Sequence, residues 1–273
     1  MEEKLVSIIM PAHNEADYIA EAIQSVLEQT YQNFELLIVN SGSTDNTEKV
    51  IKSFSDKRII YFKQQKNLGV SIARNIALDA MQGDYFIFLD ADDKLPPDSI
   101  KPRVDILNLN PEIYFVGGTV ILMDKFLKNP ISVNKTEIQG NPFLKLITLS
   151  PKAHTSSSWL RRRDKNIKYK FKEGMPVFED LLFSVNYSKK GLLAIIDEPV
   201  LFYRRGHEQT TSSIKAFEDG YSIFYKEIKK RNDIGKKIKF LVKYKIIKIM
   251  FLSYLKLFKP ISAIKVFLRY LFL

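Results

Sequence analysis

Tyr85-Phe86-Ile87-Phe88-Leu89-Asp90-Ala91-Asp92-Asp93 passes from an unbroken apolar run straight into three carboxylates. A run of this length reads as a strand buried on both faces, the kind that parallel sheets use. Carboxylates at its end suit a divalent cation that shares its shell with a phosphate, because Mg²⁺ and Mn²⁺ take oxygen ligands. In an extended chain at ~3.3 Å per residue, Asp90 and Asp92 point the same way, about 6–7 Å apart. One then grips the metal while the other holds a neighbouring group. The alternative is a solvated acidic turn, or a helix N-cap ahead of Pro96-Pro97.

Working outward, Leu5–Met10 reads as a first buried strand closed by Pro11-Ala12-His13-Asn14-Glu15. Phe34–Val39 is a second, closed by Asn40-Ser41-Gly42-Ser43-Thr44-Asp45, and Ile59–Phe62 a shorter third. Helical stretches separate them at Ala16–Gln29, Asp45–Phe54 and Val70–Met81. Strands alternating with helices imply β-α-β units and a parallel sheet. Ligands of such sheets bind beyond the carboxyl ends of the strands, so the three polar segments converge on one crevice. Each also has a purely structural reading. Asn14 with Asp17 resembles a helix start, and Asp45 with Glu48 has capping-box spacing. A capped helix start also exposes backbone N–H groups that suit an anionic diphosphate. Gly42 permits a tight turn, and Arg74 can fork onto a phosphate or serve as a structural pair.

Pro11-Ala12-His13-Asn14-Glu15, Ser41-Gly42-Ser43-Thr44-Asp45, Asn67-Leu68-Gly69 with Ala73-Arg74-Asn75, and Leu89-Asp90-Ala91-Asp92-Asp93 together resemble the family 2 glycosyltransferases. The match is close over residues 1 to about 95. It continues more loosely through Glu179-Asp180 and Tyr203-Arg204-Arg205-Gly206-His207. The resemblance implies an inverting enzyme of the GT-A fold, a three-layer α/β/α sandwich with a mostly parallel central sheet. It further implies that Pro11, Ala12, His13 and Glu15 line a nucleotide-sugar pocket, with Ser41 and Asp45 near base and ribose. Asp90 with Ala91 lies toward the ribose and Arg74 toward the diphosphate. Asp92 and His207 hold Mn²⁺ or Mg²⁺. Asp180 is the general base, with Glu179 as fallback. Many members have Asp where this chain has Ser41, which leaves the nucleobase open between a UDP-sugar and a dTDP-sugar.

The chemistry is economical. A nucleotide sugar carries its own leaving group, so inversion needs one displacement and one base that takes the acceptor hydroxyl's proton. The logic parallels that of inverting glycosidases. Without the resemblance, Glu179-Asp180 reads simply as an acidic first turn of a helix.

The 273 residues, 45% hydrophobic, can bury one substantial core. With no Cys there is no disulfide framework, Cys nucleophile or thiolate zinc site, and His13, His154 and His207 are too scattered for a zinc centre. A strand begins almost at once behind Glu2 and Glu3, so no signal peptide is expected. Trp159 suits sugar stacking or core packing, and Arg161-Arg162-Arg163 suits a lipid pyrophosphate or solvent.

The net charge of +11 is unevenly spread. From Gly235 onward there are ten Lys plus Arg and no acid, which leaves 32 bases and 31 acids in the preceding residues. A nucleic-acid partner is not expected, since no binding motif accompanies the basic region. The tail is also apolar, yet its longest charge-free run, Ile249 to Leu255, falls short of the ~20 residues a spanning helix needs. On a helix Lys245, Lys248, Lys256 and Lys259 share an arc of ~80°. The expected division is therefore 1–215 as catalytic domain, with 1–95 binding the nucleotide sugar and 96–215 the acceptor. Residues 216–273 form a helical, basic, amphipathic tail. Pro260 breaks or kinks that tail. It is read as lying on an anionic membrane surface at the cytoplasmic face, so the enzyme is peripheral and its acceptor a lipid-linked glycan. A helical hairpin packed on the catalytic domain or on a partner chain is the alternative. Two other functions stand beside the transferase: a Mg²⁺-dependent phosphatase of the haloacid dehalogenase type, and a non-catalytic membrane-associated scaffold.

Overall fold

A computed structural model describes residues 3–150, 158–206 and 213–271. Four parallel strands form its first half: β1 (Val6–Ala12), β2 (Phe34–Ser41), β3 (Ile59–Gln64) and β4 (Tyr85–Phe88). Their order is β3-β2-β1-β4, with helices α1 (Ile19–Leu27), α2 (Thr47–Lys52) and α3 (Val70–Ala80) in the crossovers. Both faces of β1 are buried, which explains its continuous apolar run. Val6, Ile8 and Met10 pack with Ile19, Ile23 and Val26 of α1. Ile9 lies on the other face with Ala73, Ala77 and Leu78 of α3.

The second half follows α4 (Lys101–Leu109) and completes the sheet. It comprises β5 (Ile113–Met123), β6 (Pro130–Asn134), α5 (Phe143–Ile147), β7 (Leu160–Arg162), α6 (Glu179–Tyr187) and β8 (Leu192–Arg204). Short β7 joins the halves, pairing antiparallel with both β4 and β5. β8 runs parallel to β5 from Ile113↔Leu192 to Met123↔Arg204. Layers of helix, mostly parallel sheet and helix result, as the fold class expected from the sequence requires.

The arginine run is structural, fitting neither reading offered for it. Arg161 is 2% exposed, with its guanidinium over the rings of Phe86, Phe88 and Phe183. Arg162 donates to the carbonyls of Leu107, Asn110 and Ile113. Arg163 donates to Gly83. Two arginines of the connecting strand and the one just after it are thus held by rings and backbone carbonyls of neighbouring elements. Trp159 is core: it is 1% exposed and packs on Phe115 and Gly117, where any Cβ would come within 2.8 Å of the indole.

The tail forms α7 (Ile214–Lys230), α8 (Lys236–Lys256) and α9 (Pro260–Leu271), with Pro260 opening the last helix. Val242, Ile246, Met250 and Tyr254 of α8 share one apolar cluster with Leu182 and Val185 of α6 and with Ala263, Val266 and Tyr270 of α9. Buried Glu218 accepts from Tyr254 and Arg269, which ties the three helices together. One face of the tail is therefore a hairpin on the catalytic half. Of the four lysines expected on one outer arc, Lys245 turns inward and donates to the Thr148 carbonyl at 2.8 Å. The other three lie at the outer surface. Among the described residues no helix is long and apolar enough to cross a membrane.

Candidate active site

At the carboxyl ends of β1 and β2 the two polar loops are stitched together. Asn14 adopts φ +56° and its Oδ1 accepts from the Thr44 N–H at 2.8 Å. The Asn14 N–H donates to Ser43 Oγ, and the Glu15 N–H to Thr47 Oγ1 at 2.8 Å. His13 Nδ1 lies 2.8 Å from the Ser41 carbonyl. Asp45 accepts from the Ala16 N–H and from both the N–H and the hydroxyl of Thr47. Burial opposes this, yet those hydrogen bonds hold its carboxyl below the usual range. Neither expected cap forms as predicted: α1 starts at Ile19, and Glu48 pairs with Lys52 and Lys63 instead. Gly42 (φ +63°) lets the Lys66 backbone approach so closely that a Cβ would lie 2.4 Å from its carbonyl carbon. Buried Ser41 accepts from the Leu68 N–H across the same gap. Pro11 and Ala12 are the buried last residues of β1. A cleft of about 460 Å³ opens beside these loops, lined by Asn14, Ala16, Asp17, Tyr18, Thr44, Asp45 and Asn46.

The acidic segment is a turn and not an extended strand. β4 ends at Phe88, and the Asp93 N–H donates to the Asp90 carbonyl at 3.1 Å. The strand-alternation spacing expected for Asp90 and Asp92 therefore does not apply. Ala91 is buried. Asp93 is structural: 2% exposed, it accepts the Arg204 N–H at 2.9 Å. Burial, then Asp92 and Asp90, push its carboxyl well above the ordinary range. Arg204 is a clamp that sequence reasoning left unassigned. Its Nε donates to the Asp92 carbonyl at 2.6 Å, its Nη1 to Lys125 at 2.5 Å and its Nη2 to Glu21 at 2.7 Å. A backbone bridge between Lys94 and Phe202 completes the clip. The Tyr203–His207 segment held the signal, and the clip brings the end of β8 to the acidic turn. His207 itself lies outside the described residues.

Arg74, read as a phosphate fork or a structural pair, is paired here. It is 5% exposed and forks between Asp90 Oδ1 at 2.8 Å and Glu179 Oε1 at 2.9 Å. The reason is charge: a guanidinium buried against the rings of Phe88 and Phe171 needs carboxylate partners. Burial acts to lower its pKa, but Asp90 and Glu179 outweigh that and raise it. Glu179 and Asp180 open α6 behind Phe178, which holds φ +67°. Burial, then Asp180, push Glu179 up, and Arg74 pulls it back. Asp180 is half-buried and accepts the Leu181 N–H at 2.7 Å. Glu179 is thus held by a cation, while Asp180 is half-buried beside it in the first turn of α6.

Glu15 shows how crowded the carboxylates are. Burial first, then Asp92, Asp90 and Asp45, push it up to about 7, against a smaller pull from Arg204. Among the described residues no three His, Cys, Asp or Glu side chains form a ready metal cage. The set nonetheless fits Mg²⁺ or Mn²⁺, which are held through one or two carboxylates plus substrate phosphates. Their charge would relieve the repulsion felt at Glu15.

That repulsion has a consequence for stability. Between its ordinary value of 4.5 and about 7, Glu15 holds a proton in the folded chain that the unfolded chain has released. Its contribution is present below 4.5 and is lost as pH rises through about 7. Asp93 and Glu179 are shifted the same way and add to the trend. Urea midpoints should fall from about pH 5 to about pH 8, and Glu15→Gln should flatten the slope. An unchanged slope in Glu15→Gln would place the titration elsewhere.

A parallel β-α-β half with carboxylates at its strand ends, joined by a short antiparallel strand to an acid-bearing helix, is the GT-A arrangement. The sequence profile described as Glycosyl transferase family 2 matches residues 7–170, and the chain belongs to that family. An uncharacterized glycosyltransferase of Haemophilus influenzae is 34% identical over 239 residues, covering 84% of this chain and 73% of its own length. The putative teichuronic acid biosynthesis glycosyltransferase TuaG of Bacillus subtilis is 32% identical over 153 residues, 53% of this chain and 61% of that protein. The chain spans only 25% of a longer Rickettsia conorii glycosyltransferase that is 40% identical over 152 residues, 52% of this chain. Among solved structures, S. aureus TarS 1–349 with UDP-GlcNAc superposes with a TM-score of 0.69 at 19% identity, covering 92% of this chain and 72% of that one. The mannosyltransferase PcManGT of Pyrobaculum calidifontis, with GDP-Man and Mn²⁺, gives 0.60 at 15%, covering 96% and 73%. Membership of this family sets aside the phosphatase alternative.

Proposed function

We propose that this chain is an inverting, metal-dependent glycosyltransferase. It moves a sugar from a nucleotide diphosphate sugar, UDP-linked first and dTDP-linked second, to a hydroxyl of a lipid-linked glycan in cell-surface polysaccharide synthesis. The observation that carries this reading is the Arg74 fork. It ties Asp90, on the donor side, to Glu179 on the helix that bears Asp180. The TuaG and TarS likenesses support the polysaccharide and UDP parts.

Pro11, Ala12, His13, Glu15, Ser41 and Asp45 line the nucleoside side, and Asp90 with Ala91 receives the ribose. Asp92, with His207, would hold Mn²⁺ or Mg²⁺ at the diphosphate. Such a cation, when bound, acts as a Lewis acid that neutralises charge on the departing group. Asp180 orients the acceptor hydroxyl and takes its proton. The acceptor oxygen bonds to the anomeric carbon from the face opposite the leaving group. The bond from that carbon to the diphosphate oxygen breaks, and the electron pair leaves with the nucleoside diphosphate. Glu179, paired with Arg74, fixes the helix start that carries Asp180. The protein works peripherally at the cytoplasmic face of the cell membrane, a reading supported by its base-rich tail.

The test is nucleoside diphosphate release from UDP-, dTDP- and GDP-sugars with Mn²⁺ or Mg²⁺, with and without a lipid extract as acceptor. Release from one donor, abolished by EDTA, is the expected result. Activity unchanged by EDTA would overturn the metal assignment. Release of nothing from any donor in the presence of acceptor would favour the scaffold.

A further inference from the structure

The outer face of α8 and α9 is apolar where a packed hairpin should be polar. Ile261, Ile264, Phe267 and Leu268 of α9 are exposed opposite its buried Ala263, Val266 and Tyr270. On the adjoining end of α8 and the connecting turn, Leu252, Leu255, Leu257 and Phe258 are exposed as well. Phe258 is 94% exposed, at φ +54°, which holds its ring out at the corner between the helices. Lys256, Lys259 and Lys265 surround this corner and are exposed. Arg269 is occupied by Glu218 at 2.6 Å. Beyond Gly235 the chain has no acid to answer these cations.

We propose that the Leu257–Ile261 corner inserts into the interface of an anionic lipid bilayer, with the three lysines on its headgroups. The inference rests on the membrane reading above and not on the catalytic assignments. Charge selects the occupant. A second copy docking this face on itself would bring like charges together without compensation. A nucleic acid would satisfy the lysines but leave eight large apolar side chains in water. Anionic lipid satisfies both, since apolar side chains sink ~5–10 Å while basic residues meet the headgroups at ~1 kcal/mol each. Phe240 distinguishes insertion at the corner from a tail lying flat. Near the start of α8, it is 71% exposed but lies about 24 Å from the corner along the helix axis at 1.5 Å per residue. Insertion at the corner leaves it outside the apolar zone.

The absence of cysteine makes the test clean. Single-cysteine variants Phe258→Cys and Phe240→Cys, in the full chain, would carry an environment-sensitive nitrobenzoxadiazole label. Each is mixed with phosphatidylcholine vesicles with and without phosphatidylglycerol. The label at 258 should shift to the blue on vesicles containing phosphatidylglycerol, and the label at 240 should not. Partitioning of the unlabelled double variant Lys256→Gln/Lys259→Gln should fall about tenfold or more. Equal shifts at both positions would replace the corner with a flat-lying helix. Absence of a shift at 258, or a shift that follows protein concentration without lipid, would overturn the proposal. Nucleotide release from the donor panel is independent of all these outcomes, so failure here leaves the transferase reading standing.

Discussion

Asp92→Ala should lower sugar transfer by about 10³-fold, the loss expected when several kcal/mol of charge stabilisation disappear from a departing diphosphate. The structure makes this variant interpretable. What holds the acidic turn is the Asp92 backbone carbonyl, which accepts from Arg204, together with the Asp93 carboxylate, which accepts from the Arg204 N–H. Both survive in alanine, so the fold should persist, and with one repelling charge fewer beside Glu15 and Asp93 the urea midpoint should not fall. The deficit should appear in metal-dependent nucleotide binding measured by calorimetry. With Mn²⁺ present, UDP affinity should fall toward the value seen in EDTA, while affinity without metal stays as in the parent. Retention of more than about a tenth of the activity would remove Asp92 from the metal role.

Asp180→Asn should lower kcat by about 10²–10⁴-fold, the range for a positioned general base, and leave donor binding intact. Asparagine keeps an oxygen for the Leu181 N–H that Asp180 accepts at 2.7 Å, so the first turn of α6 remains. The discriminating partner is Glu179→Gln. The Glu179 side chain is 14% exposed and paired with buried Arg74. In the variant Asp90 still answers Arg74, the amide oxygen still accepts from it, and burial already favours the neutral form at this position. Glu179→Gln should therefore cost little stability by urea unfolding, and less in kcat than Asp180→Asn. An equal loss of kcat in Glu179→Gln would move the base to Glu179.

The legible part of the site was the part written in consecutive residues. The alternation of apolar runs with helix-length segments gave β1 to β4 and α1 to α3 within a few residues of their bounds. Glu15 and Asp45 were legible as members of polar loops at neighbouring strand ends, which the structure ties together. Less legible was what each polar group does once neighbours arrive from far along the chain. Arg74 stood open between a phosphate ligand and a structural pair because its partner Glu179 lies 105 residues away. Asp93 looked like a third member of an acidic set, yet Arg204 makes it a structural acceptor. Arg161 to Arg163 looked like a solvent or phosphate patch because nothing local shows that β7 is wedged between β4 and β5.

By itself the sequence determined the class of fold, the convergence of three loops on one crevice, and the imbalance of charge toward the tail. These follow from short-range rules: periodicity, turn chemistry and counting. The tertiary structure alone decided which arginine clamps and which carboxylate is held. It also decided which side of the tail faces inward and where Phe258 stands out at the corner. Those outcomes depend on burial, which makes an unpaired charge costly and so forces each buried guanidinium onto whatever carboxylate or carbonyl the topology brings within reach.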